Sequence, residues 1–191
     1  FVLGAIALAV GGVLVLGGVQ GVIGWYMVKS GLVERVDVSH YRLALHLGTA
    51  FLILGLLVWL AEETRPGDTT IRLETVAPGH VRLASVLMVA LFVQVLLGAL
   101  VAGLKAGLTY NTWPLMDGRF IPNGLLTMQP WYENLFENVT TVQFDHRMVA
   151  YLVGLLGLAH VFQLRGGDDG RVMSSAVVLL ATIFIQMCIG I

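Results

Sequence analysis

The chain is 191 residues long, 57% apolar and only 12% charged, with a formal net charge of −1 and a mean hydropathy of +0.85. That balance leaves too little polar surface for a soluble bundle and identifies a chain solvated by lipid. It holds no basic tract for nucleic acid, and its single cysteine, Cys188, allows neither an internal disulfide nor a cysteine metal site.

Five apolar runs follow one another: Phe1 to Val28, Ser39 to Ala61, Val81 to Leu104, Val142 to Leu164 and Val172 to Ile191. Each is about 20 residues or longer, enough to cross ~30 Å of hydrocarbon as a helix. The fold class expected is therefore all-α, a polytopic membrane helical bundle with five spans in this chain. The first run opens on Phe1 without an initiator Met, and the fifth is still in progress at Ile191, so a fragment is expected. The first run also lacks the basic flank of a signal peptide and is too long for one.

Orientation comes from the connections. Arg65, Arg72, Arg82, Arg165 and Arg171 crowd the 62–80 and 165–171 side, whereas Lys29, Arg35, Arg42, Lys105, Arg119 and Arg147 are spread over longer stretches opposite. Density of Lys and Arg predicts that the 62–80 connection is cytoplasmic.

The first, third and fifth runs share a pattern, "VQGVIG" with Gln20 and Gly24, "VQVLLG" with Gln94 and Gly98, and "IQMCIG" with Gln186 and Gly190. Gln-x-x-x-Gly sets an amide and a small residue one turn apart on one helix face. Its plain meaning is packing, since small residues let membrane helices approach and a glutamine hydrogen-bonds across the gap. The second and fourth runs share His-x-x-x-Ala, as His46 to Ala50 and His146 to Ala150. The alternation predicts a repeated helix pair.

His40 falls in a connection and is expected to be solvated, while His46 lies about 10 Å into its run at ~1.5 Å per residue and His146 is expected to enter from the same side at a similar depth. A membrane histidine is either an interhelical hydrogen bond or a functional group with a partner. Two at matched depth, each with alanine one turn deeper, point to haem: imidazole ligates iron, and a flat macrocycle needs small neighbours such as Ala50, Ala150 and Gly154. Arg42 and Arg147 could pair with haem propionates or extend to the interface. Asp145 is expected near its helix N-terminus, favoured by the dipole and able to fix Arg147 or the loop.

Four stretches, "GWYMVKSGL" (24–32), "YRLALHLGTAF" (41–51), "VAGLKAGLTYNTWPLMDGRFIP" (101–122) and "FENVTTVQFDHRMVAY" (136–151), closely resemble the haem A synthase family in its mitochondrial and alpha-proteobacterial form. The resemblance implies eight helices in two similar four-helix halves, of which this chain covers the third to seventh. It implies an enzyme that oxidises a methyl group of haem O to a formyl group by successive hydroxylations, giving haem A for terminal oxidases. One half would hold haem O and the other a haem b cofactor. Residues 1–61 would belong to the substrate-haem half with His46 as one iron ligand, 62–80 would be a cytoplasmic connection, and 81–191 would belong to the haem b half with His146 as one ligand. The second ligands and the family's catalytic acid, a Glu three positions before the first half's histidine, would lie outside the chain. At the corresponding place before His146 stands Gln143, which cannot ionise.

The same resemblance implies haem O as substrate, with a haem O synthase and an electron donor as partners, in a bacterial or mitochondrial inner membrane. A homo-oligomer stays open. It gives the 105–138 segment, with Asn111, Trp113, Pro114 and Met116, the role of an outward lid near a haem edge. Within it "QPWYENLFEN" reads as a short interfacial helix opened by Pro130, with Trp131, Leu135 and Phe136 toward the membrane, and an aromatic anchor is the alternative. A second reading pairs His46 with His146 and His80 with His160 in a dihaem b-type electron-transfer cytochrome. A third is a non-catalytic assembly or transport subunit.

Overall fold

The computed structural model describes residues 2–31, 38–65, 78–165, 167 and 170–190. Five long helices are formed: α1 (Val2–Gly31), α2 (His40–Glu63), α3 (Pro78–Gly103), α4 (Val139–Leu164) and α5 (Gly170–Ile189). The shortest, α5, has 20 residues, about 30 Å at ~1.5 Å per residue, so every one can span a bilayer. Among the described residues the sole β feature is an isolated antiparallel bridge between Met116 and Arg119.

Several boundaries move from where apolarity alone puts them, because backbone hydrogen bonding carries a helix past the last apolar residue. α1 runs on through Lys29 to Gly31. α3 begins at Pro78, which can take a first helical position because its missing N–H would be unpaired there anyway. His40 opens α2 rather than lying in a solvated connection; it is half-buried, with its ring 4.1 Å from that of Tyr41. α4 begins at Val139, three residues earlier than its apolar run, so Asp145 sits in the second turn. The helix dipole fades within the first turn, so it gives Asp145 little.

The chain divides into two compact units, Phe1–Thr75 and Val76–Ile191. The first holds α1 packed against α2. Large apolar side chains are turned outward, Leu8 at 80% and Leu14 at 72% exposure, as expected of a protein whose solvent is lipid. In the second unit α4 packs against both α3 and α5. Leu87, Val153 and Ile183 form its centre, with Val149 and Met187 packed against them. Val161, Leu164 and Ala176 form a second cluster toward the end of α4. Gly157 permits this approach, because a Cβ there would meet Ile183 and Leu180 methyl carbons at 3.3 Å. Of the 62–80 connection, residues 66–77 lie outside the described residues.

Candidate functional site

In the first unit α1 presents its Gln-x-x-x-Gly face to His46. Gln20 Nε2 donates to the His46 carbonyl oxygen at 2.7 Å, and its Oε1 accepts from the Thr49 hydroxyl. That hydroxyl also lies 2.8 Å from the Leu45 carbonyl, the usual resting place of a helical threonine. One turn along, Gly24 leaves room for the ring: a Cβ on it would stand 3.0 Å from His46 Cε1. The His46 Nδ1 is buried with no hydrogen-bond partner. Arg42, one turn before His46, places its guanidinium 4.8 Å from the centre of the Tyr26 ring, a cation–π contact. Ala50 is half-buried.

The second unit repeats the construction with a change. α3 turns Gln94 and Gly98 toward His146, and a Cβ on Gly98 would lie 3.3 Å from His146 Cε1. Here the glutamine meets the imidazole: Gln94 Nε2 is 3.1 Å from Nδ1 and 3.3 Å from Nε2 of His146. Gln94 Oε1 is buried without a partner, as is the hydroxyl of Tyr151. Ala150 is half-buried, and Gly154 admits Met187 of α5, whose sulfur would lie 3.5 Å from an added Cβ.

Polar residues near the start of α4 bind the preceding segment. Asn138 caps the helix by accepting from Thr141 N at 3.1 Å, and its Nδ2 donates to Gly124 O at 3.0 Å and Asn134 Oδ1 at 3.0 Å. Asn134 is fully buried and makes four hydrogen bonds, to Met128 N, Met128 O, Trp131 O and Asn138. Gln143 Nε2 and Arg147 Nη2 both donate to the Tyr110 carbonyl, at 3.0 and 2.7 Å, and Arg147 Nη1 donates to Thr112 O at 2.8 Å. Arg147 thus holds the loop directly. The carbonyls it meets carry no charge, so its cation is still available to an anion.

The "QPWYENLFEN" stretch forms a 3-10 helix, Trp131–Leu135, preceded by Pro130. Trp131 and Phe136 are exposed, at 64% and 42%, and Leu135 is half-buried. Of the other loop candidates, Asn111, Trp113 and Pro114 are exposed, whereas Met116 is 2% exposed and pairs its backbone with Arg119. Sequence reasoning missed Asn134 and Asn138: Asn138 is a favoured cap residue, but it stands four residues ahead of the apolar run and immediately precedes only the helix that forms. It also missed Thr49, three residues after His46, and gave the two glutamines only a packing role.

Among the described residues no three His, Cys, Asp or Glu side chains gather to hold a bare metal ion. A haem asks less of the protein, one or two imidazoles per iron. The buried, unpartnered Nδ1 of His46 suits an imidazole that ligates iron, and the two glycines seat each imidazole against the neighbouring helix.

The chain is 48% identical over 186 residues to the protein named heme A synthase of Brucella ovis, covering 94% of this chain and 49% of that protein. It is 50% identical over 177 residues to the heme A synthase of Parvibaculum lavamentivorans, covering 93% and 49%. The chain therefore spans about half the length of the curated relatives it matches. No solved structure matches it. Five apolar helices and bacterial relatives place it in the bacterial inner membrane. The sequence profile of the cytochrome oxidase assembly protein family (COX15-CtaA) matches residues 4–191, and the chain belongs to that family.

Proposed function

We propose that the protein acts as a haem A synthase, oxidising a methyl group of haem O to a formyl group by successive hydroxylations. One observation carries the reading: two matched glutamine–glycine–histidine clasps occur in a chain 48–50% identical to proteins named heme A synthase. His46 would ligate the substrate haem and His146 a resident haem b, each through one nitrogen of a neutral imidazole. Ala50 and Ala150 would leave room beside the macrocycles, and Gly154 would keep α5 close behind the second. Haem b, when bound, would supply one-electron transfer.

The remaining roles belong to the polypeptide. Arg42 and Arg147 bring positive charge near each histidine, where a propionate would form a charge-assisted bond. The loop carrying Asn111, Trp113, Pro114 and Met116, tied down by Arg147 and Gln143, would exclude water from the His146 site. Gln143 cannot ionise and gives its N–H to Tyr110, which suits a half that moves electrons and handles no proton at that place. A carboxylic acid, a haem O synthase and an electron donor would complete the reaction.

The test replaces each histidine in the full-length protein. His146→Ala should abolish the reduced b-type absorption band, and His46→Ala should abolish haem A formation while keeping that band. A b-type band that survives His146→Ala, or is lost in His46→Ala, would refute the assignment.

A further inference from the structure

Beyond the His46 clasp the α1–α2 pair encloses an apolar hollow of about 240 Å³. Gly12, Val13 and Leu16 line it from α1, and Leu56, Trp59 and Leu60 from α2. Leu56 and Leu60 come ten and fourteen residues after His46, which sets them about 15 and 21 Å further along α2 and within about 80° of its face. Gly12 keeps the α1 wall open, with nothing within 4 Å of where a Cβ would stand. At the corresponding place the second pair is packed. Setting Gln20 on Gln94 and His46 on His146 brings Gly12, Val13 and Leu16 to Val86, Leu87 and Ala90, and Leu56 to Leu156. There Leu87 is 2% exposed and centres a cluster that includes Ala90 and Leu156 and is completed by Ile183 of α5.

We propose that the hollow receives the isoprenoid tail of haem O and so selects this substrate over a haem without a tail. The inference rests on the reading that His46 ligates the substrate haem. In haem O the propionates leave one edge of the macrocycle, and a farnesyl chain on a hydroxyethyl group leaves the opposite edge. Arg42 stands one turn before His46, on the side away from the hollow. A propionate drawn to Arg42 therefore points the tail along α2, toward Leu56 and Leu60. Haem b carries only a vinyl group where haem O carries its tail, and the packed core of the second pair suits that shorter group. Lipid solvates an isoprenoid chain as well as protein does, so apolar burial alone gives no preference. The preference comes from dispersion contacts in a hollow of fixed shape, reached by a chain whose macrocycle is already held at His46.

The test gives the full-length protein, in lipid nanodiscs, haem O whose tail ends in a photoreactive diazirine. Irradiation should label residues 9–16 of α1 and 56–60 of α2, and excess unmodified haem O should suppress the label. Label confined to lipid or to other spans would overturn the proposal. Gly12→Leu puts a side chain into the hollow and should raise KM for haem O about 10-fold. Its kcat should stay close to wild type, because the end of the tail is remote from the macrocycle. Gly17→Leu is the control, on the same helix but outside the hollow and with nothing within 4 Å, and should change neither constant. Trp59→Ala removes part of the α2 wall and should also raise KM, which keeps the test decisive if Gly12→Leu does not fold. Equal KM values in wild type, Gly12→Leu and Trp59→Ala would overturn the proposal too. If the wild-type protein makes no haem A from haem O, the haem A synthase reading itself falls. If it makes haem A and the label lies elsewhere, only the tail site falls.

Discussion

The α1–α2 and α3–α4 pairs present the same residue types to one another and surround them differently. In each, a glutamine and a glycine one turn apart face a histidine on the next helix. In the first pair the amide is spent on backbone and hydroxyl, and the arginine beside the histidine rests on an aromatic ring. In the second, the amide meets the ring, the arginine is bonded to a loop, and α5 closes the far side. The comparison teaches that one motif is a chassis, and that its neighbours determine what the motif does.

The largest effect should come from the loop that sets the second pair apart. Asn134→Ala strands Met128 and its asparagine neighbour in a buried place, at about 1–3 kcal/mol for each group left unpaired. Thermal unfolding in detergent should fall accordingly, and limited proteolysis should open residues 120–130 first. An unchanged midpoint would mean that the asparagine network does not hold the loop.

Next comes the pair of arginines. Arg147→Gln removes two charge-assisted bonds to carbonyls, worth about 1.5–3 kcal/mol apiece when such bonds are well formed, less here by the part-exposure of the site. Arg42→Gln gives up a cation–π contact of about 0.5–1 kcal/mol. Hydrogen exchange should therefore rise at Tyr110 to Thr112 in the first variant, with a smaller change around Tyr26 in the second. Equal perturbation of both sites would erase the distinction between the halves.

The glycines sharpen the comparison further. Gly24→Ala sets a methyl 3.0 Å from His46 Cε1, and Gly98→Ala sets one 3.3 Å from His146 Cε1. Overpacking costs about 1–3 kcal/mol, toward the lower end where a side chain can shift, so Gly24→Ala should destabilise more than Gly98→Ala. Gly21→Ala, with nothing within 4 Å, serves as the control and should be neutral or slightly stabilising. The reverse ranking in thermal unfolding would show that the second clasp is the tighter one.

The smallest effect belongs to Arg65→Ala. It breaks a pair with Glu62 at 3.1 Å in which both side chains are more than half exposed, and it should change stability by ~0–1 kcal/mol before screening. A larger loss would show that this end of α2 is buried by something else.

The sequence by itself determined the class of molecule and the number of spans, and it singled out the two histidines proposed as ligands. Those follow from composition and from residue types that are costly in a bilayer, and cost is a property of each residue taken singly. It also made the repeat visible, because Gln-x-x-x-Gly and His-x-x-x-Ala are spacings along one helix. Helix ends were less legible: α4 starts at Val139, capped by Asn138, and apolarity does not register a cap. Only the tertiary structure decided which partner each polar group takes. Gln20 and Gln94 are the same residue in the same pattern, yet one meets a carbonyl and a hydroxyl and the other an imidazole. Arg147 could have met Asp145 two residues away, and instead reaches carbonyls 35 and 37 residues back. A hydrogen bond is settled by which groups arrive within about 3 Å of each other, and that is decided by how the helices pack.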